Sequence, residues 1–184
     1  MASDLQRRKT SIVFTAMDVN RDGFLERADF EALTDRWVGI RGETGADRLR
    51  EIMMGWWDAV HTASAKNGDQ KVTLDEVMTA VDTLGGMLDR VAATAESMFE
   101  AVDQDGDGRI SPTEYGRMIH GWTGADTPTN DAFTRLDLDG DGWIGTSEFV
   151  RHWVEFWVGD DADAPGTHLF GAVPAPGPRP GGGA

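Results

Sequence analysis

Apolar residues recur three and four positions apart in seven short stretches of this chain. They are Val13, Phe14 and Met17; Phe30, Leu33 and Trp37; Val77, Val81 and Leu84; Met98, Phe99 and Val102; Tyr115, Met118 and Ile119; Ala132, Phe133 and Leu136; and Phe149, Trp153 and Trp157. That spacing puts each set on one face of a helix. Two helix starts are written out: Ser111-Pro112-Thr113-Glu114 and Thr73-Leu74-Asp75-Glu76 have the form of capping boxes. Thr127-Pro128 predicts the start of the helix carrying Phe133 in the same way. Glycine marks linkers at 39–45, 85–86 and 121–128. Past Trp157, residues 159–166 read as an acidic turn and 167–171 as a brief apolar patch; 172–184 are rich in Pro, Gly and Ala, a composition that predicts disorder. The pattern predicts an all-α protein.

The helices flank acidic, glycine-bearing loops that repeat. Asp103-Gln104-Asp105-Gly106-Asp107-Gly108-Arg109-Ile110-Ser111-Pro112-Thr113-Glu114 has oxygen-bearing side chains at positions one, three, five and twelve, glycine at six and an aliphatic residue at eight. Residues 137–148 repeat it 34 residues later, with Asp137, Asp139, Asp141 and Glu148 as the acids. This resembles the twelve-residue EF-hand loop, which wraps a calcium ion in six or seven oxygens. The first loop, 18–29, has Asp18, Asn20 and Asp22, but aspartate (Asp29) at position twelve. Aspartate is one methylene shorter than glutamate and less able to bind with both oxygens. A one-oxygen contact lowers the coordination number and favours octahedral magnesium, so a mixed calcium/magnesium site is expected. Glu26 at position nine offers a compensating ligand. The second loop, 65–76, keeps Val72 and Glu76 in frame, but Ala65 offers no ligand and Gln70 stands where the sharp turn takes glycine. It is expected not to bind, and to serve as a scaffold. Position eight is Leu25, Val72, Ile110 and Ile144, expected to pair as short antiparallel bridges, first loop with second and third with fourth. The predicted organisation is therefore one pair over 1–84, a second over 87–158, and a tail over 159–184.

Charge sharpens this picture. The formal net charge is −15, and twelve of the 32 acidic residues lie in the first, third and fourth loops. Clustered carboxylates repel unless a cation sits among them. Three divalent ions, each offsetting two charges, would take −15 to −9. Nucleic acid is an unsuitable partner for so acidic a chain. With no cysteine there are neither disulfides nor thiolate metal sites. No stretch approaches the roughly 20 apolar residues of a membrane span, and no secretory pattern opens the chain, so a cytoplasmic location is expected. Scarce lysine beside abundant Ala, Gly, Asp and Arg suggests a GC-rich bacterial source. The four histidines have no zinc spacing, and His152 reads as a structural core residue. No catalytic motif is present, so no enzymatic activity is expected.

Four EF-hands, a long first interval, a degenerate second loop and a tail bearing Leu169-Phe170-Gly171 resemble the sarcoplasmic calcium-binding proteins and their bacterial relatives of the calerythrin type. The resemblance covers about residues 3–171. It implies two EF-hand pairs packed face to face, a tail tucked into an apolar pocket, and a monomer that buffers or transports calcium. It also implies the ligand sets: Asp18, Asn20, Asp22, the Phe24 carbonyl and Asp29; Asp103, Asp105, Asp107, the Arg109 carbonyl and Glu114; Asp137, Asp139, Asp141, the Trp143 carbonyl and Glu148. Ser111 and Gly145 hold position nine, where water completes the shell.

Two readings of function stay open. Eight methionines and the Leu169-Phe170 segment suit a sensor that opens an apolar groove to a protein target. Seven tryptophans, large and rigid, suit a closed core and hence a buffer. The buffer is the preferred expectation.

Overall fold

In the computed structural model, which describes residues 2–64, 68–171 and 173, the apolar stretches become helices. These are α1 (Asp4–Met17), α2 (Arg27–Arg41), α3 (Ala46–Ser64), α4 (Leu74–Leu84), α5 (Leu88–Val102), α6 (Pro112–Thr123), α7 (Asn130–Leu136) and α8 (Thr146–Trp157). Two-residue strands β1 (Arg109–Ile110) and β2 (Ile144–Gly145) and a 3-10 turn at Pro165–His168 complete the elements. The all-α expectation holds. Disorder was expected over 172–184, a segment that lies outside the described residues apart from Val173.

Local chemistry sets the helix starts. The Glu114 amide donates to Ser111 Oγ at 3.2 Å, and the Ser111 amide returns a bond to Glu114 Oε2 at 2.9 Å. Thr73 and Glu76 make the same exchange at 3.2 and 2.9 Å. A third box, Ser3 with Gln6, opens α1. The Thr127-Pro128 start does not hold. The Thr127 amide turns back to the Ala125 carbonyl at 3.1 Å, and α7 begins at Asn130 after Thr129.

The position-eight bridges form as expected. Ile110 pairs with Ile144 and Leu25 with Val72, antiparallel in both cases, and all four side chains are fully buried. Each bridge yokes two loops into one rigid unit.

The two halves share one continuous apolar core. Helix α2 packs on α3 and also on α6; α5 lies on α8, and α1 reaches both α4 and α8. Trp56 meets Phe30 at 5.7 Å, Trp122 at 5.2 Å and Trp153 at 6.1 Å between ring centroids. These edge and tilted contacts suit the aromatic quadrupole. The approach of α6 to α2 is so close that a Cβ on Gly121 would sit 2.9 Å from the Trp37 ring. Beside it, Arg36 donates to the carbonyls of Gly121 and Trp122 at 2.7 and 2.6 Å, satisfying groups at the end of α6.

The tail closes the core. Leu169 and Phe170 are buried, and Phe170 lies 4.9 Å from Phe156, 5.3 Å from Trp122 and 5.8 Å from Trp153. Tyr115 donates its hydroxyl to the Leu169 carbonyl at 3.0 Å. Gly166 crosses α8 where a Cβ would come within 2.5 Å of the His152 carbonyl oxygen. His152 is structural: fully buried, with Nε2 at 2.7 Å from the Leu136 carbonyl.

Lys9 is a further tie, and it is fully buried. Its ammonium donates to the carbonyls of Glu155 and Gly159, at 2.9 and 2.7 Å, and so caps the end of α8. Burial pushes it down to about 8, against the pull of Asp160 and Glu155.

Truncating Phe170 to alanine is expected to cost about 3–5 kcal/mol, the range for deleting a buried phenylalanine. Urea unfolding of the calcium-loaded protein, followed by tryptophan emission, measures this. A loss below about 1 kcal/mol would mean the tail is not part of the core.

Candidate metal centres

In each of the first, third and fourth loops, backbone amides hold the acids in place. Asp103 Oδ1 accepts from the amides of Gly106 and Asp107 at 2.9 and 3.2 Å, and Oδ2 from Gly108 at 2.9 Å. Asp137 repeats this with Gly140, Asp141 and Gly142 at 2.9, 3.2 and 2.9 Å. Asp18 takes Asp22 and Gly23 at 3.1 and 2.9 Å. Position three then accepts from position five: Asp105 from Asp107, Asp139 from Asp141, and Asn20 from Asp22, at 3.1, 3.1 and 2.9 Å. Position five accepts from position seven in all three loops, at 2.8 to 3.0 Å. A carboxylate has about four lone-pair sites, so these bonds orient it and still leave acceptors for a cation.

The residue at position twelve ties the loop to its outgoing helix. Glu114 Oε1 accepts from the amides of Gln104 and Asp105 at 2.9 and 3.4 Å, while Oε2 takes Ser111. Glu148 accepts from Leu138 and Gly145 at 2.9 and 2.8 Å. Asp29 reaches the matching amides of Val19, Asn20 and Glu26 at 3.1, 3.4 and 2.9 Å, despite its missing methylene.

The acids of Asp103, Asp105 and Glu114 each bring an oxygen within 4.8 Å of the other two, and so do Asp137, Asp139 and Asp141. Asp107 and Glu148 are not part of these triads. Among the described residues the first loop makes no such triad: Asn20 supplies an amide oxygen there in place of a carboxylate. The carbonyl-bearing residues Phe24, Arg109 and Trp143 each precede a bridge residue, as their place at position seven requires. The electrostatics match the crowding. Asp139 is held above the usual carboxylate range: a hydrogen bond from Asp141 lowers it, but desolvation and the charges of Asp141, Glu148 and Asp137 raise it. Burial lifts Asp29 in the same direction, opposed by its amide bonds. These all-oxygen donor sets fit a hard divalent cation such as calcium.

The second loop differs where it is described; Ala65, the expected missing ligand, lies outside the described residues with the two residues after it. Position six is left-handed in the other loops, at Gly23 (φ 86°), Gly108 (81°) and Gly142 (88°), but Gln70 is not. Glu76 keeps the contact that Glu114 makes with Ser111: its Oε2 accepts from the Thr73 amide and hydroxyl, at 2.9 and 3.0 Å.

Two features escaped the twelve-position pattern. Position four is left-handed in every loop, and in the first it is Arg21 at φ 60° where the others have glycine. Position-seven residues also pair across each bridge: Lys71 stands over the Phe24 ring at 5.1 Å and Arg109 over Trp143 at 5.0 Å. The bridge register, legible from position eight, carries that signal.

Three segments of the chain, residues 11–34, 95–119 and 129–151, match the EF hand family model, one around each intact loop. A sarcoplasmic calcium-binding protein of Hediste diversicolor is 30% identical over 128 residues, covering 67% of this chain and 72% of that protein. The chain belongs to the EF-hand family, among proteins of the sarcoplasmic calcium-binding type. The alpha chain of the Penaeus vannamei sarcoplasmic calcium-binding protein is 31% identical over 126 residues, which are 62% of this chain and 65% of the relative. The chain thus spans a little under two thirds of that relative. In fold it is similar to the coelenterazine-binding protein of Renilla muelleri in its calcium-loaded apo form, with TM-score 0.74 at 22% identity over 92% of this chain and 98% of that one. The sarcoplasmic relatives it matches are calcium-binding proteins by name. Among its described residues no helix is long and apolar enough to cross a membrane.

Replacing Arg21 by glycine removes a left-handed non-glycine residue, a strain of about 1–2 kcal/mol. The greater freedom of glycine in the unfolded chain offsets about 0.5–1 kcal/mol of it. A gain of up to about 1.5 kcal/mol is expected in chelator and high salt, where the lost charge is screened. A loss of stability in urea unfolding would contradict it.

Proposed function

We propose that this protein buffers calcium in the cytoplasm, as a monomer, taking up one ion in each of the first, third and fourth loops. The observation that carries the reading is the pairing of amide-anchored acidic loops with a buried aromatic core that runs through both halves. Trp37, Trp56, Trp57, Trp122, Trp153 and Trp157 are all buried, as are Met17, Met53, Met98 and Met118. Among the described residues the large exposed apolar side chains are Phe24, Leu88 and Leu138, which sit in or beside three separate loops. A sensor must present a groove, whereas a buffer opens little on binding.

In this reading the ligands are Asp18, Asn20, Asp22, the Phe24 carbonyl and Asp29 in the first loop. The third uses Asp103, Asp105, Asp107, the Arg109 carbonyl and Glu114, and the fourth Asp137, Asp139, Asp141, the Trp143 carbonyl and Glu148. The pairs over 1–84 and 87–158 act as two halves of one folding unit. Capture replaces water around the ion with carboxylate oxygens, and the relief of repulsion locks incoming and outgoing helices. Binding to the folded form alone stabilises it by about 2.7 kcal/mol per site at a hundredfold excess over Kd.

Calorimetric titration is expected to find three calcium equivalents, falling to two in Glu114→Gln. Chelator should lower the melting temperature, and small-angle scattering should give the same radius of gyration with magnesium as with calcium. Expansion on calcium binding, or an unchanged melting temperature in chelator, would overturn the buffer reading. Asp29→Glu should raise first-loop calcium affinity relative to magnesium by supplying a second oxygen. An unchanged ratio of the two affinities would count against the mixed-site assignment.

A further inference from the structure

We propose that Lys71, contributed by the second loop, is a tethered cation that competes with the metal at the first loop and sets that loop's affinity. The proposal rests on the reading that the first loop binds a divalent ion.

Its basis is the register of the Leu25–Val72 bridge. The amide of Leu25 donates to the Val72 carbonyl at 2.8 Å and the amide of Val72 returns to Leu25 at 2.9 Å. An antiparallel bridge at 25 and 72 places residue 71 directly across from residue 26. Lys71 Nζ accordingly lies 2.8 Å from Glu26 Oε1, 3.7 Å from Asp22 Oδ2 and 5.1 Å from the centre of the Phe24 ring. It therefore touches positions five, seven and nine of the first loop at once. Leu25 and Val72 are fully buried, so the backbone that carries the ammonium is fixed.

The other pair of loops also sets a cation over an aromatic ring, Arg109 over Trp143, but has no counterpart to the contact at position nine. Across the Ile110–Ile144 bridge, Arg109 faces Gly145, and Ser111 holds position nine of the third loop. Neither position-nine residue there carries a charge. In the first loop alone, a carboxylate at position nine is matched by a cation from the neighbouring hand.

The consequence is electrostatic. A divalent ion held by Asp18, Asn20, Asp22 and Asp29 would sit beside a positive charge that already neutralises Glu26 and part of Asp22. Lys71 must loosen its contact or the ion binds against it. The ammonium also keeps Glu26 from turning toward the ion. Freed, Glu26 would add an oxygen, which helps calcium with its larger coordination number more than octahedral magnesium. Without metal, the same ammonium relieves repulsion within the loop. The second hand, with its altered turn, thus acts on the first as a built-in counter-ion. By linkage, calcium at the first loop weakens the Lys71–Glu26 contact by the factor that this contact weakens calcium binding.

The test uses the full chain with Glu114→Gln and Glu148→Gln, which leaves the first loop as the site observed. Calcium and magnesium are titrated calorimetrically in that parent and in versions carrying Lys71→Met or Lys71→Arg. Lys71→Met is expected to tighten calcium by about twofold to fivefold, the scale of one partly exposed ion pair, and magnesium by less. The gain should shrink between low and high salt. Lys71→Arg, which keeps the charge, should stay near the parent. In chelator, Lys71→Met should melt lower than the parent, so affinity and apo stability move in opposite directions. A merely structural lysine would lower both. If the parent binds no ion at the first loop, the three-site reading falls and the proposal with it. If the parent binds and Lys71→Met stays within twofold or weakens, the proposal alone is overturned.

Discussion

Like charges crowded into short loops are the constraint around which this molecule is built. Two carboxylates about 4 Å apart repel by about 4 kcal/mol at an effective dielectric near 20. An amide donating to a carboxylate contributes about 1.5–3 kcal/mol. Asp103 accepts three such bonds, enough to hold it beside one charged neighbour but not comfortably beside two. Yet Asp105 and Glu114 both converge on it. The amides therefore give the loop its shape, and the remaining repulsion makes the arrangement a trap for a divalent cation. Fixing the acids beforehand also lowers the ordering entropy that binding would otherwise require.

What the loops gain is transmitted because position twelve belongs to two structures. Glu114 draws in the start of its loop through Gln104 and begins α6 through Ser111. A cation that pulls on this carboxylate pulls on the helix start. From there the path runs into a core that both halves share, through Trp122 against Trp56 and Phe170. Opening a groove here would mean parting aromatic rings that face one another across the halves, and lifting a tail whose Phe170 is seated among three of them. Each large ring so exposed would forfeit on the order of 2–3 kcal/mol of burial. That penalty, more than the loop geometry, favours a molecule that tightens over one that opens.

Much of this was legible in the chain because calcium loops are local. All their side-chain ligands fall within twelve residues, and helical periodicity and the position-eight aliphatics need no knowledge of distant contacts. The misses are the features that depend on what comes near in space. Thr127-Pro128 has a good local starting signal, but the Ala125 turn claims Thr127 and the helix waits until Asn130. Ser3 with Gln6 is the exception, a local box that forms in the fold. Lys9 reads as an ordinary charged residue until α8 ends beside it and presents two carbonyls. Arg36 and Gly121 likewise acquire their meaning only from the packing of α2 on α6.

The second hand shows how a loop without a full ligand set can still be required. Without Val72 opposite it, Leu25 would present its backbone amide and carbonyl to the core with no partner, an unfavourable burial for both groups. The bridge needs only an extended residue with an aliphatic side chain at position eight. It makes no demand on positions one, three, five or six, so the altered turn at Gln70 is tolerated. Position seven answers to an ion only through its carbonyl, so its side chain is free in every loop. Here that side chain is Lys71, which projects a charge into the neighbouring site. Pairing through a bridge thus separates two roles that one EF-hand ordinarily combines: holding the partner loop in place and holding a metal.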